Sequence, residues 1–289
     1  MTKTNGTTPL SRKAEKKNAT THIIRFDNIS AGWNQKILLT ADRHHDNLHT
    51  DHRLELEHLE EAKEAGAPII DIGDLFCAMQ GRYDPRKSYT NMRPEYIGDD
   101  YFDRLLDCAH SFYGPYADLF AVIGKGNHEK SILKRQQLDL IKGLSRRLGN
   151  VDKMGAYAGW VLLQFKMNKT RYQTIRIKYH HGYGGGGPVT KGVIQANRRA
   201  VYLPDADIIM TGHIHEAWVM PFMRERINTA GNVSIEKQWH VSVPTYKEEY
   251  LVGDGWHIET GKPPKPVGCA WLDLSWDKAR IKSSVRLDI

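Results

Sequence analysis

Five apolar runs in this chain each stop in a cluster of carboxylate, imidazole or amide side chains, and that repeated ending constrains the fold more than any other feature. The run 36–44 ends in Asp42 and His44, "PIIDIGD" (68–74) in Asp74, and "DLFAVIGKGNH" (118–128) in Asn127 and His128. "YQTIRIKYHH" (172–181) ends in His180 and His181, and "ADIIMTGHIH" (206–215) in His213 and His215. Short apolar runs bounded by turn residues read as buried strands. Polar side chains at the end of a core strand add nothing to the core, so five such endings need a common purpose. In an α/β sheet the residues just beyond the carboxyl ends of the strands converge on one crevice, where ligands bind.

The segments between these runs carry helical patterns. Leu56, Leu59, Ala62 and Ala65 recur at helical spacing, with Gly66 and Pro68 as stop signals. Further helices are predicted around 99–113 and over "KGVIQANRRAVYL" (191–203), and after residue 216 the chain reads mostly as strands. No stretch is rich enough in Gly, Ser or Pro to divide the chain, so residues 22–289 form one expected domain. Residues 1–21 are expected to be a flexible basic tail. The first twenty hold five Lys/Arg against one Glu and almost no large apolar side chain.

Composition narrows the class. Three cysteines without CxxC spacing argue against a disulfide framework and against a thiolate zinc site, and they fit a reducing cytoplasm. No apolar run approaches the roughly 20 residues of a membrane span, and the first residues lack the apolar core of a signal peptide. A soluble cytoplasmic protein is expected, and its oligomeric state is left open. The net charge of +7 leans toward an anionic partner, most commonly nucleic acid.

Asp, His and Asn without thiolate suit borderline divalent ions, with manganese favoured and iron or zinc as alternatives. In "DRH" and "HIH" positions i and i+2 of an extended segment point the same way, so both can reach one small volume. The donors are too many for one ion but suit two that share a carboxylate. Asp74 is the natural bridge, because Gly73 before it lets the backbone approach closely.

In their order, "DRH", "GD", "GNHE", "HG" and "GHIH" resemble the motifs of the calcineurin-like metallophosphoesterases over residues 37–216. The resemblance implies a four-layer α/β/β/α sandwich with a dinuclear metal site at the C-terminal ends of the strands. It places Asp42, His44, Asp74 and His215 on one ion, and Asp74, Asn127, His181 and His213 on the other. His128 is then the acid or the transition-state stabiliser. "GDLF" and "GHIHE" look more like the double-strand-break-repair nucleases than the Ser/Thr protein phosphatases. The chain departs from both at Cys77, where the phosphatases carry Asp and the nucleases often His. His22, His110, His240 and His257 read as ordinary core histidines, and His45 and His180 as neighbours of better placed residues. Asp46, Asp71 and Glu216 read as partners of ligating His or as solvated charges.

The expected reaction is metal-dependent phosphoester hydrolysis, with two cations acidifying a water for attack on phosphorus. Basic groups favour a nucleic-acid substrate, DNA first. Lys130 and Lys134, then Lys142 and Arg146, recur four apart on an expected helix over 129–147. The loop 75–98 interleaves Arg82, Arg86, Lys87 and Arg93 with tyrosines, a mixture that suits a single strand. The candidate substrate contacts are Arg43, Arg82, Lys87, Arg93, Lys134 and Arg135. "GYGGGGP" (182–188) reads as a flexible rim of the site. The runner-up is a phosphatase of a nucleotide or other small phosphoester. A non-catalytic scaffold ranks third, because the full ligand set is kept.

Overall fold

The computed structural model describes residues 12–78, 91–185, 187, 189–251, 253, 255–278 and 280–289. The chain opens with strands β1 (Arg12–Asn18), β2 (Thr21–Phe26) and β3 (Asn34–Thr40). Helix α1 (His52–Glu64), β4 (Ile69–Asp71), α2 (Tyr101–Tyr113) and β5 (Phe120–Ile123) follow, then α3 (Asn127–Gln136) and α4 (Leu140–Arg147). Strands β6 (Ala158–Lys166) and β7 (Tyr172–His180) lead to α5 (Val193–Tyr202) and β8 (Ile208–Thr211). The chain ends with β9 (Trp218–Ile227), β10 (Val233–Ser242), α6 (Trp256–Glu259), β11 (Cys269–Asp277) and β12 (Arg280–Asp288).

The strands build two sheets, one ordered β1-β2-β6-β7-β8-β10-β9 and the other β12-β11-β3-β4-β5. Their inner faces meet in an apolar layer: Leu39, Ile70 and Leu272 from the smaller sheet pack with Val161, Leu163, Ile177 and Met210 from the larger. Strand alternation sorts these side chains. In β6, Val161, Leu163 and Phe165 point inward and are wholly buried, while the residues between them are half exposed. The other face of the smaller sheet carries Leu38, Ile69, Phe120 and Trp271, and on these lie Leu59 of α1, Leu105 and Ala109 of α2, Ile132 of α3 and Leu144 of α4.

The parallel neighbours β3, β4 and β5 in one sheet and β7 and β8 in the other fix where the site falls. All five motif-bearing runs belong to these strands. Their carboxyl ends meet at one edge of the sandwich.

Several expectations need correction. The tail is shorter than 1–21, because β1 pairs antiparallel with β2 from Arg12 against Phe26 to Asn18 against Thr21. Edge pairing of this kind needs backbone partners more than apolar side chains, so a polar composition hides it. Residues 1–11 lie outside the described residues. The expected single helix over 129–147 is two, α3 and α4, separated where Gln137 turns left-handed at φ 57°. On the outer face of the larger sheet, α5 is the helix found among the described residues, and Gln238 on that face donates to the carbonyls of Leu203 and Ala206. Leu56, counted on the core face of α1, is 41% exposed, whereas Glu55 beside it is buried. Glu55 turns inward to meet Arg43, and this rotates the buried stripe by one residue.

His22 in β2 is 1% exposed, and neither ring nitrogen has a hydrogen-bond partner. Burial, followed by the nearby Lys16, depresses its pKa from 6.5 to about 4. A folded-state pKa below the unfolded one means the unfolded chain takes up the proton first as pH falls, so stability is lost from pH 6.5 down to about 4. His22→Phe should flatten that part of the pH–stability curve, measured by urea unfolding at steps between pH 7 and 4.

Candidate metal centre

The loop after β3 carries Asp42 and His44, and the loop after β4 carries Asp74. Asn127 is the first residue of α3, His181 follows β7 directly, and His213 and His215 follow β8. The extended geometry expected for "DRH" and "HIH" is not what gathers these side chains. Asp42, His44, His213 and His215 all lie in the left-handed region, at φ 51°, 48°, 74° and 53°, and Asp74 joins them at 53°. Sharp turns at the strand ends swing each donor across the edge of its sheet. Close backbone approach makes the turns compact: a Cβ on Gly73 would collide with the backbone N of Gly126, and one on Gly126 with Asp74 Oδ1.

All seven residues named from the sequence come together. Asp42, His44 and His215 form one group whose donor atoms lie within 4.8 Å of one another, and Asp74, His181 and His213 form a second. His44 Nε2 and His215 Nε2 are 3.2 Å apart, and Asp42 Oδ1 is 3.6 Å from the latter. In the second group, His181 Nε2 lies 3.2 Å from Asp74 Oδ2, and Asn127 Oδ1 lies 3.0 Å from His181 Nε2 and 2.7 Å from His213 Nδ1. Asp42 Oδ1 also faces His181 Nε2 at 4.0 Å, which places it between the groups.

The donors fit divalent cations. Asp42 Oδ1 is buried with no hydrogen-bond partner, a costly state for a carboxylate oxygen unless positive charge sits beside it. Burial and then the neighbouring His128 and His215 hold the His44 pKa well below 6.5, so its ring is neutral and can offer a lone pair. Without a cation the second group stores charge of its own. Burial opposes an imidazolium at His181, but Asp74 overrides it and raises the pKa to about 9. Burial likewise opposes the Asp74 carboxylate, and His181 and His128 outweigh it and hold its pKa well below 3.8. A third group pairs His44 and His128 with Cys77, whose thiol burial pushes up to about 12, so without a cation it is neutral.

His128 stands beside the donors, with Nε2 3.7 Å from Asp74 Oδ2. Its Nδ1 lies 2.5 Å from the Cys77 carbonyl, which only accepts, so Nδ1 carries the proton and Nε2 faces the site. Cys77 thus orients His128 through its backbone, and the side chain that differs from the resembled families is not what touches the ring.

The remaining candidates divide. Arg43 does not reach the site surface: its side chain is wholly buried, with Nη1 2.5 Å from Glu55 and Nε 2.7 Å from Asp71. A guanidinium spent on two carboxylates beneath the sheet edge has nothing left for a phosphate. Arg93 donates to the carbonyls of Asn47 and Thr50, so it closes the turn after His44 and offers no free fork to a strand. Lys134 and Arg135 are exposed on the last turn of α3. Arg82 and Lys87 lie outside the described residues. His45 stacks on His52 at 4.6 Å, and His180 accepts from Gly182 N at 2.9 Å, so both serve the loops.

Sequence reasoning passes over Glu129, takes His257 for a core histidine and leaves Asp46 as either a partner of a ligating His or a solvated charge. Glu129 accepts from the backbone N–H groups of Asp74, Phe76 and Gly126 at 3.1, 2.9 and 2.8 Å and so ties two ligand loops together. Its place in "GNHE", at the third position of a helix, was the available signal. Asp46 accepts from Cys77 N, Ala78 N and the Tyr101 hydroxyl. The His257 ring, 5.9 Å from that of His215 and 3.3 Å from Glu249, had no motif to mark it.

No protein-family model and no curated protein matches the chain. Among solved structures, Vacuolar Protein Sorting 29 of Cryptosporidium parvum aligns over 89% of this chain and 98% of its own at 10% identity, with a TM-score of 0.36. A predicted phosphoesterase of Streptococcus pneumoniae aligns over 89% and 91% at 11% identity and a TM-score of 0.34. Vps29 of Entamoeba histolytica complexed with zinc aligns over 88% and 99% at 10% identity and 0.33. Likeness at this level carries no function to the chain, whose own residues have to supply it.

Arg43→Met should leave Glu55 and Asp71 buried without a countercharge and cost about 3–5 kcal/mol of stability. Urea unfolding of the variant reads this directly, and a loss below 1 kcal/mol would contradict the structural role.

Proposed function

We propose that this chain is a dinuclear metal-dependent phosphodiesterase acting on nucleic acid, with DNA favoured and manganese as the first metal to test. The observation that carries the reading is the pair of nitrogen and oxygen donor groups around the unpartnered Asp42 Oδ1. One ion is assigned to Asp42, His44 and His215 and the other to Asn127, His181 and His213, with Asp74 shared. When bound, such ions supply Lewis-acid charge for a phosphoryl group and lower the pKa of a water.

The protein's own residues do the rest. His128 holds a proton at Nδ1 against the Cys77 carbonyl, so a second proton, at Nε2, makes it a cation aimed into the site. That proton can pass to the departing oxygen of the ester, the role of a general acid. Asn127, at the start of α3, orients its amide oxygen between His181 and His213. Glu129 fixes the backbone on which Asp74 and Asn127 sit.

The nucleic-acid half of the proposal rests on charge. The chain carries +7, and α3 begins at the site and presents exposed Lys134 and Arg135 about 10 Å along its axis. A strand whose scissile phosphate lies at the metals can lay a neighbouring phosphate there. A phosphatase of small phosphoesters is the outcome if monoesters are preferred over every polynucleotide.

Two variants separate the parts. Asp74→Asn should lose metal, measured by elemental analysis after dialysis, together with activity, because the shared charge is gone. His128→Ala should keep its metal while turnover of poor leaving groups falls roughly 10²–10⁴-fold, with a smaller loss on p-nitrophenyl esters. Equal losses on both would assign His128 to charge stabilisation.

Replacing Lys134 and Arg135 by Gln should weaken single-stranded DNA binding and flatten its log–log salt dependence by about 0.7 per lost phosphate contact. A titration series between 50 and 300 mM salt would measure the slope, and an unchanged slope would remove α3 from the binding surface.

A further inference from the structure

Next to the His181 and His213 side of the centre lies a pocket of about 80 Å³, walled by Gly182 and Gly212 toward the donors and by Tyr183, Gln195, Arg199 and Trp218 elsewhere. Arg199, on α5, is 6% exposed. Its guanidinium lies 5.8 Å from the centroid of the Tyr183 ring. The Tyr183 hydroxyl donates to Gln195 Oε1 at 2.9 Å, which holds the ring in place. Among the described residues no carboxylate pairs with Arg199, and no acidic side chain lines the pocket. The guanidinium lines the pocket with no anion supplied by the described residues, whereas charges in largely buried side chains are ordinarily paired. The fork of donors on Arg matches phosphate in a bidentate fashion.

Size then selects the ligand. An apolar cavity that accepts a benzene ring measures about 150 Å³, so a pocket of about 80 Å³ suits a phosphate group better than a base. Gly182 follows His181 and Gly212 precedes His213. The pocket lining therefore adjoins two of the donors along the chain.

We propose that the Arg199 pocket holds a second, non-reacting phosphate group of the substrate, next to the one that is cleaved. The inference rests on the phosphoesterase reading and narrows its substrate to molecules with two phosphate groups close together. The second group is either the adjoining phosphate of a strand or the other phosphate of a small bisphosphorylated molecule.

The test uses the manganese-loaded protein and compares d(TpT), d(pTpT) and d(TpTp), with bis-p-nitrophenyl phosphate as the single-phosphate control. One of the two end-phosphorylated dinucleotides should exceed d(TpT) in kcat/KM by about ten- to hundredfold, mostly through KM, as expected for a charge-assisted contact. Arg199→Gln should abolish that excess and Arg199→Lys should retain part of it. The Gln variant should melt no lower than the native protein, because it loses an unpaired buried cation. Thymidine 3′,5′-bisphosphate should raise the melting temperature of the native protein more than that of the Gln variant, whether or not anything is cleaved.

If the control is hydrolysed but the excess is absent, or persists in the Gln variant, the pocket proposal fails and the phosphodiesterase reading stands. If nothing is hydrolysed while the melting shifts still differ, the phosphodiesterase reading fails and the pocket survives as a bisphosphate site. Equal melting shifts, or a Gln variant that melts lower and keeps the excess, would make Arg199 structural.

Discussion

Asp42 is the point at which the two sheets are fastened together. Its N–H donates to the Gly73 carbonyl, its carbonyl accepts from Tyr246 N and Thr245 Oγ1, and its Oδ2 accepts from His213 N at 2.7 Å. One residue therefore joins the loops after β3, β4 and β8 and leaves its other oxygen, Oδ1, unpartnered among the histidines. Packing of the sandwich and geometry of the site are coupled through this residue. The hydrogen bonds that align the sheets also aim the free oxygen, and a buried carboxylate oxygen in that state calls for a cation.

The donors are held in a shape that the backbone does not favour. Five of the seven sit at positive φ, and each such non-glycine residue costs on the order of 1–3 kcal/mol that the surroundings must supply. Glu129 and Asp46 are part of that supply. Between them they bind five backbone N–H groups in the loops after β4 and β5. Burial beside the Asp74 charge pushes the Glu129 carboxyl up to about 8, so the anchor itself carries an electrostatic cost. Positive charge at Asp74 would relieve it. The anchor carboxylate and the unpartnered Asp42 oxygen thus both favour positive charge at the donors, each through different atoms.

Much of this was legible in the sequence because it is written as periodicity. The five apolar runs fall on β3, β4, β5, β7 and β8, and the donors at their ends meet because parallel strands finish on the same edge. The parts that escaped reading are those decided by long-range partners. Nothing local in "RKAEKKN" shows that it pairs with β2. Nothing near Glu55 tells that it faces inward to a cation twelve residues earlier, so helical spacing alone puts Leu56 on the wrong face. The break at Gln137 lacks a Gly or Pro to announce it. His257 reaches the edge of the site from more than forty residues beyond the last motif, and no spacing rule connects it to His215.

The two buried arginines show how a site residue and a structural one are told apart. Arg43 stands inside a ligand motif, between Asp42 and His44, and from sequence it invites a role on the substrate. Its guanidinium instead meets Glu55 and Asp71, with Thr40 Oγ1 at 3.0 Å, so every face of the charge is answered within the fold. Arg199 belongs to no motif and lies in a helix of ordinary composition, yet among the described residues it has no carboxylate partner and lies against the face of Tyr183. Burial is nearly the same for the two, at 0% and 6% exposure. What differs is whether the protein supplies the countercharge. A cation whose anion is built in stabilises the fold, and one that faces a pocket without an anion is kept for something that arrives from outside.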